Sequence, residues 1–166
     1  MGLVRAIRDI RTIKRLLTGA EAEARSAGEA VPGPEHLLLS AAALPDGSAA
    51  RALARLGTDA AALRSAVAAT HAEALTDLGL EAGTAPAPAL ATPAAGPMRT
   101  SPQAQQVFQR AVELSKRASP AGLRGVHVLA AVGELERGTA VRALRRLGVE
   151  PGQVTAAARA EEDVLA

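Results

Sequence analysis

Residues 36–57, HLLLSAAALPDGSAARALARLG, return 91 positions later as residues 127–148, HVLAAVGELERGTAVRALRRLG, with 11 of the 22 positions identical and no gap. A duplication of this kind restricts the chain to folds that build themselves from two copies of one supersecondary unit. Each copy opens on a histidine, His36 or His127, and carries Gly-x-Ala-x-Arg-Ala-Leu in its middle. Such a unit reads as a helical module. Repetition by itself assigns no chemistry, so any site has to be argued separately.

The composition agrees with helices. Hydrophobic types make up 48% of the 166 residues, and Phe108 is the only aromatic. Much of that content is Ala and Leu, which favour close-packed helices; strands are enriched in β-branched and aromatic residues. An all-α fold is expected. The length suits one domain or two small halves that lean on one another.

Helix boundaries are marked along the chain. Leu3, Ile7, Ile10, Ile13 and Leu17 recur at helical spacing, and the pattern runs on to Gly28, a C-cap residue, with Gly19 a point of interruption. Pro34 and Glu35 suit the first turn of a second helix reaching about Leu44. Pro45, Asp46 and Gly47 form a turn, Ser48 is the expected cap of a third helix, and Gly57 closes it. Thr58 or Asp59 caps a fourth, with Leu63 and Val67 facing inward. The second copy restarts at Thr100, Ser101 and Pro102, and Val107, Ala111, Leu114 and Ala118 share one face. The organisation read from these signals is a first repeat over residues 1–81, a Pro- and Ala-rich linker over 82–99 and a second repeat over 100–166.

Several function classes find no support in the residues. There is no cysteine, hence no disulfide, thiolate metal site or cysteine nucleophile. Three scattered histidines make no metal motif, and Ser40, Ser48 and Asp46 show no triad arrangement or nucleophile elbow, so neither catalytic residues nor a cofactor is expected. The net charge is only +2, so a pI near 9.9 overstates any attraction to nucleic acid. No apolar run reaches the roughly 18 residues that would span a bilayer. The start is basic and periodic, unlike a signal peptide, and a soluble cytoplasmic protein is the expectation.

The residues Glu23-Ala24-Arg25 with Gly28, then Gly33-Pro34-Glu35-His36-Leu37-Leu38-Leu39, then Asp46-Gly47 through Leu56-Gly57, resemble the amino-terminal repeat domain of the Clp unfoldase ATPases, especially the ClpC and ClpA types. The second copy matches through Ser101-Pro102-Gln103-Ala104, His127, Gly138 and Leu147-Gly148. The resemblance extends over residues 9–80 and 100–160. It implies two tandem four-helix repeats related by a pseudo-twofold axis, in agreement with the eight helices read from the residues. No G-x-x-x-x-G-K-[ST] phosphate loop occurs, so the ATPase ring to which this domain is normally attached has left no sign, and a stand-alone version is expected.

That resemblance also implies a ligand. In the ClpC type, the glutamate of each G-T-E-H motif helps hold the guanidinium of phosphoarginine, and a carboxylate is suited to accept paired guanidinium hydrogen bonds. Glu35 occupies the position in copy one, with Pro34 in place of the threonine; copy two reads Gly125-Val126-His127 and lacks the acid. Glu35 is therefore the one candidate site residue for phosphoarginine or peptide binding. The alternative is a charge that merely suits the helix start. His36 and His127 are expected to be structural, each hydrogen-bonding a neighbouring loop.

The basic stretch Arg5, Arg8, Arg11, Lys14 and Arg15 reads as a solvated helix face, because no aromatic accompanies it to stack on bases or anchor at a membrane interface. No nucleic-acid and no membrane partner is expected. The leading functional reading is a non-enzymatic protein- or peptide-binding module, an adaptor, regulator or decoy whose partners are Clp ATPase or protease subunits or their substrates. Its alternatives are a structural or oligomerising helical protein, or a basic membrane- or nucleic-acid-associated factor. The linker permits exchange of repeats in a homodimer.

Overall fold

In the computed structural model, which describes residues 2–80 and 100–166, all regular structure among the described residues is helical. The first repeat comprises α1 (Gly2–Ser26), α2 (Pro34–Ala42), α3 (Ser48–Arg55) and α4 (Ala60–Asp77). The second comprises α5 (Pro102–Arg117), α6 (Gly125–Gly133), α7 (Thr139–Arg146) and α8 (Pro151–Leu165). The expected linker, residues 82–99, lies outside the described residues.

Local chemistry explains most of the boundaries. Asp59 caps α4, its Oδ1 accepting the Ala62 N–H at 2.8 Å, and Ser101 caps α5, its Oγ accepting the Ala104 N–H at 3.1 Å. Pro34, Pro102 and Pro151 stand in first turns, where a missing N–H costs nothing. Gly57 and Gly148 end α3 and α7 at φ 73° and 77°. Two expectations need correcting. Gly19 does not interrupt α1, which is continuous for 25 residues. Ser48 is not the cap of α3: Gly47 holds that position, and the Ser48 hydroxyl is used elsewhere.

The two repeats share one core. Within each repeat, α1 packs on α2 and α5 on α6; between repeats, α3 packs on α8 and α4 on α7. The central helices α2 and α6 pack on each other. A shift of 91 residues maps each of these pairings onto its mate or onto itself, which is the signature of a pseudo-twofold axis between α2 and α6. Those two helices are the most deeply buried, with every residue from Pro34 to Ala41 and from Gly125 to Leu129 inside. Close approach at the axis needs a missing side chain: a Cβ on Gly125 would lie 2.7 Å from the Ala41 carbonyl oxygen and 2.9 Å from the Ala49 Cβ.

Leu16, Leu37, Leu38, Leu53 and Leu63 of the first repeat meet Val107, Val128, Leu129, Leu144 and Val154 of the second in one apolar cluster. Each such side chain contributes roughly 1.5–3 kcal/mol by leaving water. Neither half could bury its α2 or α6 alone, so the duplication is completed by packing across the axis.

Candidate functional site

The site residue read from the sequence, Glu35, lies in the first turn of α2 with only 7% of its side chain exposed. Its carboxylate folds back over the loop that precedes the helix, so that a Cβ on Gly33 would stand 2.6 Å from Oε1. The loop itself is tied to the other repeat, because the Ser101 N–H at the start of α5 donates to the Pro32 carbonyl at 2.9 Å.

Two imidazoles flank the carboxylate, and a second acid stands beyond one of them. Glu35 Oε1 is 3.6 Å from His36 Nδ1 and 3.8 Å from His71 Nε2, while His71 Nδ1 is 3.5 Å from Glu29 Oε1. His36 cannot donate from Nδ1, since that atom accepts the Gly33 N–H at 2.9 Å and its ring proton therefore sits on Nε2. No described residue donates a hydrogen bond to Glu35. Burial pushes the His36 imidazole below its usual range, against the upward pull of Glu35, which keeps it neutral.

His36 and His127 both sit at the third residue of their helices and reach back to the residue before the helix. His127 Nδ1 accepts the Arg124 N–H at 3.1 Å, repeating the His36 to Gly33 bond. The same link is made at α8 by Gln153, whose Oε1 accepts the Glu150 N–H at 2.8 Å. Nε2 of each histidine is buried without a hydrogen-bond partner. Over His127 stands Glu162, Oε1 at 3.4 Å from Nε2, and over His36 stands His71, ring centroids 6.3 Å apart. Burial lowers His127 to about 4 and raises Glu162.

The two halves therefore present unlike surroundings at matched places. Copy one has Glu35 with His71, and copy two has Val126 with Glu162. Val126 is fully buried, and the amides around it are already taken: Gly125 N–H donates to Asp46 Oδ2 at 3.2 Å and Val126 N–H to Ser48 Oγ at 2.9 Å. The matched residues of the second repeat, Arg137 and Thr139, make no such bond to α2 among the described residues. The two amides at the start of α6 are taken by side chains of the first repeat, and among the described residues no side chain of the second repeat does the same at the start of α2.

Glu35 and the two capping histidines stand out in the sequence, whereas His71, Glu29 and Glu162 do not. For His71 and Glu162 the signal available was the repeat itself, because the 91-residue shift lays one on the other; Glu29 falls on Pro120 and had none. Equally silent in the sequence is Glu161 on α8, 1% exposed, which receives Arg51 Nε and, at 3.4 Å, Arg55 Nε from α3. No three His, Asp or Glu side chains among the described residues are grouped to hold a metal ion, and no described helix is long and apolar enough to cross a membrane.

A family model described as the Clp repeat (R) N-terminal domain matches residues 11–93. The fold is similar to the crystal structure of the N-terminal domain of the caseinolytic protease associated chaperone ClpD from Arabidopsis thaliana, with TM-score 0.58, 24% identity and 90% of each chain covered. At that identity the likeness is one of fold. No curated protein matches the sequence. With one half of the chain matched by the family model and the other half its internal copy on the same fold, the chain belongs to the Clp repeat N-terminal-domain family.

Proposed function

We propose that this chain is a non-enzymatic protein- or peptide-binding module of a Clp system, acting as an adaptor, regulator or decoy, and that Glu35 is its one surviving receptor for a guanidinium group. The observation that carries this reading is a nearly buried carboxylate that accepts no hydrogen bond from any described residue. Its lone pairs are left free to accept an incoming donor, and a guanidinium supplies two in the right fork. Phosphoarginine is the ligand of choice, its phosphoryl group lying toward the start of α2, where Pro34 has removed one amide donor and the helix dipole remains.

The second half supports a single site per chain, since Val126 offers no acid and its neighbouring amides are occupied. That same closure favours the other reading, a structural half whose recognition has been lost, for residues around α6. Its bearing is on copy two alone.

Titration of the isotopically labelled chain with phosphoarginine tests the proposal. Amides of residues 33–37 are expected to shift and those of 124–128 to stay, and Glu35→Gln is expected to abolish the response. Equal shifts in both halves, or none at about millimolar ligand, overturn it. Capture of Clp ATPase or protease subunits by the tagged chain tests the wider role; recovery of the chain alone, as a homodimer, assigns the structural reading instead.

A further inference from the structure

A cleft of about 360 Å³ lies where α1 passes the loop into α6 and the turn between α2 and α3. Four guanidinium groups line it, those of Arg8, Arg11, Arg15 and Arg124. We propose that this inter-repeat cleft binds a linear oligophosphate, whose successive phosphoryl groups are held by Arg8, Arg11, Arg15 and Arg124.

Among the described residues no carboxylate closes on these four arginines, although Glu162 feels the charge of Arg124. Arg51, Arg55, Arg64, Arg110, Arg145 and Arg146 each meet a carboxylate of the protein. Arg8, Arg11, Arg15 and Arg124 form no salt bridge among the described residues. One carboxylate belongs to the cleft wall, Asp46, and both its oxygens are engaged: Oδ1 accepts from the Ser48 amide at 2.9 Å and from the Ser48 hydroxyl, and Oδ2 from the Gly125 amide. Asp9, close by, turns its Oδ1 to the Leu123 N–H at 3.3 Å. That bond also fixes α1 against the loop and sets Arg8 beside Gly122, where an added Cβ would stand 3.4 Å from the guanidinium Nη2.

Their placement suits an extended anion. Arg8, Arg11 and Arg15 are spaced by three and four residues, so they share one helix face and extend about 10 Å along the axis. Arg124 faces them from the residue before α6. A row of that length exceeds a single phosphate and suits a chain of them, and the guanidinium fork matches phosphoryl oxygens in pairs. The apolar parts of the wall, Leu44, Pro45 and Leu123, limit screening and concentrate the positive field within the cleft.

The duplication supplies an internal control. The 91-residue shift takes Arg11 to Pro102, Arg15 to Gln106 and Arg124 to Gly33. Three of the four arginines therefore have no counterpart in the other half, Arg8 alone falling on an arginine, Arg99, and the basic cleft is not a by-product of the repeat fold. It is also distinct from the Glu35 position, where a carboxylate would meet a guanidinium.

Calorimetric titration of the full chain with tripolyphosphate at low ionic strength tests the inference. Arg11→Gln/Arg15→Gln, two exposed positions, is expected to weaken binding by about tenfold or more, while Arg25→Gln/Arg142→Gln, the same loss of charge elsewhere, is expected to change it by less than about twofold. Circular dichroism melts of both double variants establish that each is folded. A second titration with ATP assigns the source of the phosphates: equal affinity points to a free oligophosphate, tighter binding to a nucleotide carrying one. Absence of binding to the unaltered chain, or equal weakening by the two double variants, overturns the proposal.

Discussion

Ser48 of the first repeat closes the start of the second repeat's α6, its Oγ accepting the Val126 N–H at 2.9 Å while its hydroxyl proton points to Asp46. The residue is fully buried. A serine in this position of the sequence suggests a cap for its own helix, yet its hydroxyl satisfies an amide 78 residues away. Ser48→Ala leaves a buried N–H without a partner and is expected to cost about 1–3 kcal/mol, measured by urea denaturation. Ser40→Ala, by comparison, removes a donor to the Leu16 carbonyl, an acceptor within α1, and is expected to cost less. Equal losses would show that Ser48 does not join the repeats.

Stability should fall as the solution is acidified below the ordinary histidine range. His127 is lowered from 6.5 to about 4 by burial, so between those values the unfolded chain binds the proton that the folded chain refuses. The stability contributed by the neutral ring is therefore full above about pH 6.5 and is lost progressively down to about pH 4. His36 acts in the same direction. Glu162, raised by burial, opposes them: it favours the fold when protonated, and that contribution is lost as pH rises from 4.5 through its folded value. His127→Gln keeps the link to the Arg124 amide, as Gln153 does for Glu150, and should flatten the profile between pH 6.5 and 4. An unchanged slope in chemical denaturation across that window would remove His127 as its cause.

The helical framework was legible because punctuation and repetition agreed: Pro34, Gly47, Asp59 and Ser101 mark starts that local chemistry enforces. Which face of α1 turns inward was not. Leu3, Ile7 and Ile10 carry the visible apolar rhythm, yet they are 75%, 43% and 64% exposed, and the buried face is Leu16, Ala20 and Ala24. Small alanines contribute little to a hydrophobic pattern even where they decide the packing. Glu35 was legible through a motif, but the approach of His71 to it was not, because α4 brings that ring from a different helix. Arg8, Arg11 and Arg15 read as a solvated stripe until the fold set Arg124 opposite.

Leu53 and Leu144, matched by the repeat, are 0% and 2% exposed, and Leu→Ala at either should cost about 2–5 kcal/mol. The arginines beside Leu53 are half exposed but not idle. Arg51 and Arg55 both reach Glu161, an acid placed on the inward face with Val154, Ala157 and Ala158. Removing one arginine leaves the other, so Arg55→Ala should cost about 1 kcal/mol or less; removing both strands a buried carboxylate and should cost more than the sum of the single losses. Strict additivity in a double-mutant cycle would show that Glu161 is held by neither.

At Gly19 the α1 helix lies close against α2. A Cβ there would fall on the Ser40 Oγ and stand 3.1 Å from its Cβ. Two opposed effects can be weighed. Alanine in mid-helix is favoured over glycine by roughly 0.5–1 kcal/mol, whereas forcing an atom into a packed contact costs typically about 1–3 kcal/mol. The clash should win, because Ser40 is itself buried and its hydroxyl is engaged with the Leu16 carbonyl at 2.7 Å. Gly19→Ala is thus expected to lower the melting temperature. Adding Ser40→Ala removes the atom that Cβ would strike, so the double variant should be more stable than Gly19→Ala alone despite losing a hydrogen bond. Should Gly19→Ala prove stabilising, α1 and α2 are not as close as the contact requires, and Gly19 would be tolerated in the helix without being needed by its neighbour.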